Sequence, residues 1–360
     1  MAIKVTQPEI NLRETLKDLD KPSGTAGQAM LRAETPQEQF NLIGAGRRNI
    51  LINGDFQVSQ RGDFTTASSA SNGAFFVDRW YVDVGTVAFN KEQTTGIDIY
   101  GTPAISKGVK LTATASGTSY MGIRQKIENP TQYVGRTITY SGYVKSNSSN
   151  ARLVTFTQGT TQVETTNAHS GSGNWEKLSV TFTMTGNPST NWYVDAFIAS
   201  SGVGNVDISS GDYIEVTNLQ LEIGKVATPF EHRSYGEELA LCQRYYYQLG
   251  GVGGVAADTS LSSGSMYTAT AVNLYVPFPV PMRSTPAISK TVNGTGNWLN
   301  LYVGSTGTVG NPTPQVGDNG TDSARVYIPS AHSGNSPSAA GAGVWAILPS
   351  GASLNFSAEL

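Results

Sequence analysis

In Tyr213-Ile-Glu-Val-Thr-Asn-Leu-Gln-Leu-Glu-Ile223 the apolar residues change parity halfway. Ile214 and Val216 occupy even positions, whereas Leu219, Leu221 and Ile223 occupy odd ones. Alternation with period two marks a strand with one apolar and one polar face. A single slip in that alternation is what one inserted residue produces, so a β-bulge is expected near Asn218. A strand buried on one side belongs to an antiparallel sheet packed against a second layer.

The same period recurs upstream. Leu178, Val180, Phe182 and Met184 alternate with Lys177, Ser179, Thr181 and Thr183. Ile138, Tyr140 and Val144 share one parity, as do Trp192, Val194, Ala196 and Ile198. Turn signals at Asn53-Gly54, Asn72-Gly73 and Ser210-Gly211 punctuate the run. The phrase Asn49-Ile-Leu-Ile-Asn-Gly-Asp-Phe56 reads as a first strand, and Leu219–Glu231 as a last one. Residues 49–235 therefore form one β-sandwich module.

The flanks differ. In residues 1–48, Thr6-Gln-Pro-Glu9 and Thr35-Pro-Gln-Glu38 are helix starts of the capping-box type. Leu12, Leu16 and Leu19 stripe the first helix, and Phe40 and Ile43 edge the second. Such short helices are marginal alone and need a surface to pack on, so this arm reads as an anchor. After the sandwich, Ser234 with Glu237 forms another capping box. A linking helix follows over about 235–246, within a connecting segment assigned to residues 236–249, with Leu239, Leu241, Cys242 and Tyr245 inward. The consecutive Tyr245-Tyr-Tyr247 cannot all face one core, so at least one of them meets a neighbouring module or chain. Residues 250–265 are Gly/Ala/Ser-rich and read as a loop. A second β module, residues 250–360, carries alternation at Val272, Leu274, Val276 and Phe278, at Val344, Ala346 and Leu348, and at Leu354, Phe356 and Ala358. Its stretches 304–322 and 329–343 read as long polar loops. The expected class is mainly β: short N-terminal helices, a β-sandwich, a linking helix and a second C-terminal β-sandwich.

Composition agrees. Of 360 residues only 14% are charged and 40 are Gly, which suits short strands and turns rather than helices. A net charge of −3, with no basic run beyond Arg47-Arg48, gives no general attraction to nucleic acid. No apolar run is long enough for membrane insertion, and no N-terminal export signal is visible, so synthesis in the cytoplasm is expected. The single Cys242 excludes an internal disulfide and reads as a small buried residue.

Three phrases carry a resemblance. Asn49–Gly62, Val77-Asp-Arg-Trp80 and Tyr235-Gly-Glu-Glu-Leu-Ala-Leu-Cys-Gln-Arg-Tyr-Tyr246 are similar to stretches of bacteriophage tail-fibre and appendage proteins. The sandwich between them resembles the jelly roll of carbohydrate-binding modules. Phe278-Pro-Val-Pro-Met-Arg-Ser-Thr-Pro286 resembles fibre tips more loosely. The resemblance implies a structural virion protein, a homotrimer, held by its N-terminus to another virion protein and presenting β modules to host-surface glycans. It leaves open a head fibre, a capsid decoration or tail adaptor without receptor binding, and a polysaccharide depolymerase.

Candidate chemistry follows from residue types. His169, His232 and His332 stand in no metal or triad spacing, and no Gly-x-Ser-x-Gly is present, so no catalytic residue is expected. Asp55 and Asp212, beside the terminal strands, could supply oxygen to a structural calcium of the kind jelly rolls often hold; no other cofactor is expected. Sugars pack their apolar ring faces on exposed aromatics, with amides and carboxylates fixing the hydroxyls. Tyr143 and Tyr193 break the inward parity of their strands. Trp298 and Tyr302 flank Asn297 and Asn300 beside a long loop. These six are the glycan-binding candidates. Trp80, Trp175 and Trp192 read as core.

Overall fold

The computed structural model describes residues 48–99, 106–157, 163–185, 192–250, 258–303, 306–310, 312–329, 341 and 343–360. The arm residues Leu12, Leu16, Leu19, Phe40 and Ile43 lie outside them. The protein is mainly β, built of antiparallel sheets with one α-helix among the described residues.

The first module contains β1 (Ser68–Ser69), β2 (Tyr81–Val84), β3 (Phe89–Ile97), β4 (Ser106–Ala113), β5 (Gly117–Ser119), β6 (Met121–Ile127), β7 (Thr137–Ser146), β8 (Ala151–Phe156), β9 (Val163–Thr165), β10 (Trp175–Thr183), β11 (Trp192–Ile198), β12 (Val206–Ile208) and β13 (Tyr213–Ile223). A six-stranded sheet runs β1-β3-β4-β13-β7-β10, and a five-stranded sheet runs β2-β6-β11-β8-β9. Their inward parities meet in one core around Trp80, Trp192, Tyr140, Phe76 and Leu221, all fully buried. The polar tips in that core are satisfied: Trp192 Nε1 donates to Thr155 Oγ1 at 2.8 Å, and Trp80 Nε1 to the Asn53 carbonyl at 2.9 Å.

The bulge lies where the parity slips. Pairing of β13 with β7 shifts register between Thr217 and Gln220, and Asn218 takes φ 52°. Asn is among the few residues that tolerate this left-handed conformation. The opening phrase Asn49–Phe56 is not a strand, contrary to expectation. Asn53 and Phe56 have φ of 58° and 56°, which breaks extension. The phrase is tied to β13 instead. Ile50 donates to the Leu221 carbonyl at 2.8 Å, Leu219 donates to the Gly54 carbonyl at 2.9 Å, and the Asn49 side chain bonds the β13 backbone at Leu219 and Leu221.

Helix α1 (Tyr235–Gln243) starts on the Ser234/Glu237 capping box, as its sequence requires. It ends sooner than expected, because Tyr246 already belongs to a strand. The second module contains β14 (Tyr246–Gly250), β15 (Thr259–Met266), β16 (Val272–Pro277), β17 (Ala287–Thr291), β18 (Leu299–Val303), β19 (Thr306–Gly310), β20 (Gln315–Asn319), β21 (Ser323–Ile328), β22 (Gly343–Leu348) and β23 (Ser353–Ser357). A seven-stranded sheet ordered β19-β18-β22-β15-β16-β21-β20 packs on a three-stranded sheet ordered β14-β23-β17 around Leu274, Trp298, Val326 and Phe356. Two expected loops are thus strands in part. The serine-rich β15 is central, paired on both sides by β22 and β16, so backbone ladders rather than side chains hold it. The stretch 304–322 contains β19 and β20.

The three phrases that carry the resemblance meet where the modules join. Arg61 bridges Asp78 at 3.1 Å and Glu359 at 3.0 Å, and its guanidinium lies 3.7 Å from the centre of the Tyr246 ring. Arg79 pairs with Glu359 and lies 3.7 Å from the Tyr245 ring centre. Asn53 donates through Nδ2 to the carbonyls of Val58 and Asp78, and its backbone N–H is bound by the buried carboxylate of Glu238. Ala358 donates to the Tyr245 carbonyl at 2.7 Å. Cys242 is buried beside this network, and burial pushes its thiol well above the ordinary range.

Burial raises the Asp78 carboxyl to about 6, against the pull of Arg61. An unfolded aspartate titrates near 3.9. The folded state therefore holds the proton more tightly, and stability falls as pH rises from about 4 to about 6, by roughly 3 kcal/mol in all. Melting temperature measured across that window is expected to carry this downward component, and Asp78→Asn is expected to remove it. An unchanged slope in Asp78→Asn would refute the assignment.

Candidate functional site

The solvent face of the seven-stranded sheet carries a row of aromatics. Tyr302 on β18 pairs directly with Trp345 on β22, and Trp345 pairs with Ser263 on β15. On β16, Tyr275 shares this face and pairs with Arg325 on β21. Their neighbours Leu301, Val344, Ala346, Leu274 and Val276 point into the core, which forces the aromatics outward. Trp345 is 54% exposed, Tyr275 60% and Tyr302 37%. Three interstrand steps of about 4.8 Å make this row roughly 14 Å long, and a fourth reaches Arg325.

Polar groups accompany the rings. Trp345 Nε1 donates to Ser260 Oγ at 3.0 Å, so the indole is held while its face stays open. The Tyr302 and Trp345 rings lie 6.4 Å apart, tilted by 47°. Asn300 lies on the same face, and its Oδ1 is buried without a hydrogen-bond partner among the described residues. Arg325 donates to Asn273 Oδ1 at 3.3 Å. Tyr267, 59% exposed, meets Tyr327 edge-on at 5.9 Å. Flat apolar faces interspersed with hydroxyls, amides and one guanidinium suit a ligand that is apolar on its ring face and polar at its rim.

Of the six residues singled out in the sequence, the structure brings Tyr302 and Asn300 to this row. Trp298 corrects the expectation of an open face: it is fully buried in the second core, with Nε1 donating to the Pro312 carbonyl at 2.6 Å. Asn297 serves the local turn, its N–H donating to Asn293 Oδ1 at 2.9 Å. Tyr143 lies on the other module, on the outer face of the six-stranded sheet. Tyr193 lies on the outer face of the five-stranded sheet, where the Arg124 guanidinium, 4.8 Å from its ring centre, is held by Asp195 and Asp83. That ring face is occupied by the protein itself. Trp175, expected in the core, is half-buried beside Lys145 on the polar parity of β10.

Asp55 and Asp212 do not form a shared calcium site. Asp55 is tied to the middle of β13 through Gly54, whereas Asp212 precedes the start of that strand and accepts from Ser209 N–H at 2.8 Å. No group of three or more His, Cys, Asp or Glu residues placed to hold a metal ion occurs among the described residues. Asp55 is nonetheless buried with Oδ1 unpartnered, and desolvation raises its carboxyl above the ordinary value.

Trp345 and Tyr275 were missed in the sequence. The signal was present: each is an aromatic on the polar parity, between Val344 and Ala346 or between Leu274 and Val276.

No family model matches the chain, and no curated protein matches it. Solved structures similar to part of it include the enzymatically active domain of tailspike protein 4 of bacteriophage CBA120, at 12% identity and TM-score 0.29, over 43% of this chain and 21% of that one. They also include TmCBM61 in complex with beta-1,4-galactotriose, at 12% identity and TM-score 0.30, over 49% of this chain and all of that one. A cyclase from Fischerella sp. TAU aligns at 13% identity and TM-score 0.36, over 51% of this chain and all of that one. The chain spans about a fifth of the tailspike structure's length.

Proposed function

We propose that this chain is a structural phage fibre whose second module adheres to host-surface glycans along the row Tyr302, Trp345 and Tyr275. The observation that carries the reading is that row: three exposed aromatics on one sheet face, with the Asn300 amide beside them. In this reading residues 1–48 grip another virion protein and three chains assemble, so weak single contacts gain strength from copies. The chain is made in the host cytoplasm and leaves with the virion. The reading involves no catalysis. His169, for example, is spent on its own loop, accepting from Gly171 N–H at 2.9 Å.

Glycan-array binding of the full chain tests this. Saturable binding to at least one glycan class is expected. Trp345→Ala and Tyr275→Ala should each weaken it about tenfold, the worth of about 1.4 kcal/mol of lost ring contact. The same preparation should sediment at three times the chain mass. Binding that survives both substitutions together, or no binding at all, would overturn the adhesive role.

A further inference from the structure

The bulge in β13 opens a cleft on the outer face of the six-stranded sheet. It has a volume of about 140 Å³ and is lined by Ser141, Tyr143, Lys177, Asn218, Gln220 and Phe230, among others. Register brings these together: Tyr143 pairs with both Thr217 and Lys177, and Ser141 pairs with Gln220. The segment after β13 closes one side, because the Gln220 side chain bonds the Pro229 carbonyl and Glu231 N–H.

Asn218 is the unusual member. It is 2% exposed, its Oδ1 accepts from Thr217 Oγ1 at 3.3 Å, and its Nδ2 has no hydrogen-bond partner among the described residues. A buried amide donor left unpaired loses its hydrogen bond to water without replacement, a loss that an oxygen atom in the cleft would recover. Gln220 does not supply that oxygen in the structure: its Oε1 accepts from Glu231 N–H, and Asn218 Nδ2 bonds none of the described residues. Lys177 brings a positive charge, its Nζ 3.5 Å from the Thr228 carbonyl, and none of the described lining residues is a carboxylate; the buried Glu222 behind them is engaged by Gln220 Nε2 and by Thr228. Donors and a cation therefore face a small space walled by two aromatic rings. The space is below the roughly 300–1,000 Å³ of sites for drug-sized ligands, so it fits one sugar ring and not a chain of them.

We infer that this cleft binds a single carboxylated sugar, with Asn218 Nδ2 and Lys177 Nζ on the carboxylate and the ring against Tyr143. The expectation of a sugar rests on the adhesive reading above; the charge and the size rest on the cleft alone.

The test titrates the full chain with glucuronic acid, N-acetylneuraminic acid and, as the neutral arm, glucose, by ligand-observed NMR up to about 20 mM, a range that reports millimolar affinities. One or both acids should bind at least tenfold more tightly than glucose, and which acid wins distinguishes a uronate from a nonulosonate source. Asn218→Asp keeps a residue that tolerates the left-handed backbone but replaces the donor with a negative charge. Lys177→Gln removes the cation at the sheet surface. Each should weaken acid binding at least tenfold with the melting temperature nearly kept. Repeated in the Trp345→Ala, Tyr275→Ala background, the acid titration should still lose at least tenfold on Asn218→Asp, so failure here and failure of the aromatic row are separable. Equal binding of glucose, no acid binding, or indifference to both Asn218→Asp and Lys177→Gln would overturn the inference.

Discussion

Gly54→Ala is expected to destabilise the first module by about 3 kcal/mol or more, through overpacking and lost backbone bonds together. A Cβ at position 54 would sit 2.2 Å from the Leu219 carbonyl oxygen and 3.2 Å from Asn49 Nδ2. Both neighbours are held. Leu219 donates to the Gly54 carbonyl, and Asn49 bonds the β13 backbone on both sides of Leu219's neighbour Gln220. Relief requires the opening phrase to lift from β13, which would loosen Asn53 and its bond to Glu238 as well. Urea unfolding measures this, with Gly117→Ala as the comparison, since a Cβ there meets nothing within 4 Å. The comparison should change stability by no more than about 0.5 kcal/mol. Similar midpoints for the two variants would show that the close approach is not a constraint.

Glu359→Gln should also cost about 3–5 kcal/mol, because breaking a buried ion pair leaves the surviving charge without compensation. The side chains of Arg79 and Glu359 are 3% and 7% exposed. Arg79 keeps one bond to the Lys126 carbonyl and its contact with the Tyr245 ring, neither of which neutralises it. Adding Arg79→Met to Glu359→Gln should restore part of the loss, since an unbranched apolar side chain fits under Tyr245 without a charge to bury. Thermal unfolding of the single and double variants decides the matter. A double variant less stable than either single one would mean that the pair acts through shape rather than charge.

What was legible in the sequence was whatever a side chain had to declare. The parity slip at Asn218 announced a bulge because burial imposes a phase on every strand. The capping box at Ser234 announced a helix start because its two bonds are local. Strand β15 was hidden, since its serines carry almost no burial signal and its place between β22 and β16 is set by backbone pairing across long sequence separations. The Asn49–Phe56 phrase looked extended because of its apolar run Ile50-Leu51-Ile52; Asn53-Gly54 did signal a turn, whereas the left-handed Phe56 carried no such signal. The site was half legible. Tyr302 was found from its surroundings, but Trp298, four residues earlier and on the same parity, precedes β18 and turns into the core, so alternation could not place it. Asn218 was read as a bulge residue, and only the structure shows that its amide lacks a partner.

The junction also orders events during synthesis. Strand β23 pairs with both β14 and β17, and Glu359 follows it by two residues. Until the ribosome has added those residues, a nascent chain carries Arg61 and Arg79 with no acid from the second module to meet them, and the small sheet beneath the aromatic face has no middle strand. Contacts spanning some three hundred residues form slowly and late. Premature termination upstream of Ser353 should therefore release not a shortened binder but a first module with an open, sticky flank, a substrate for chaperones and proteases.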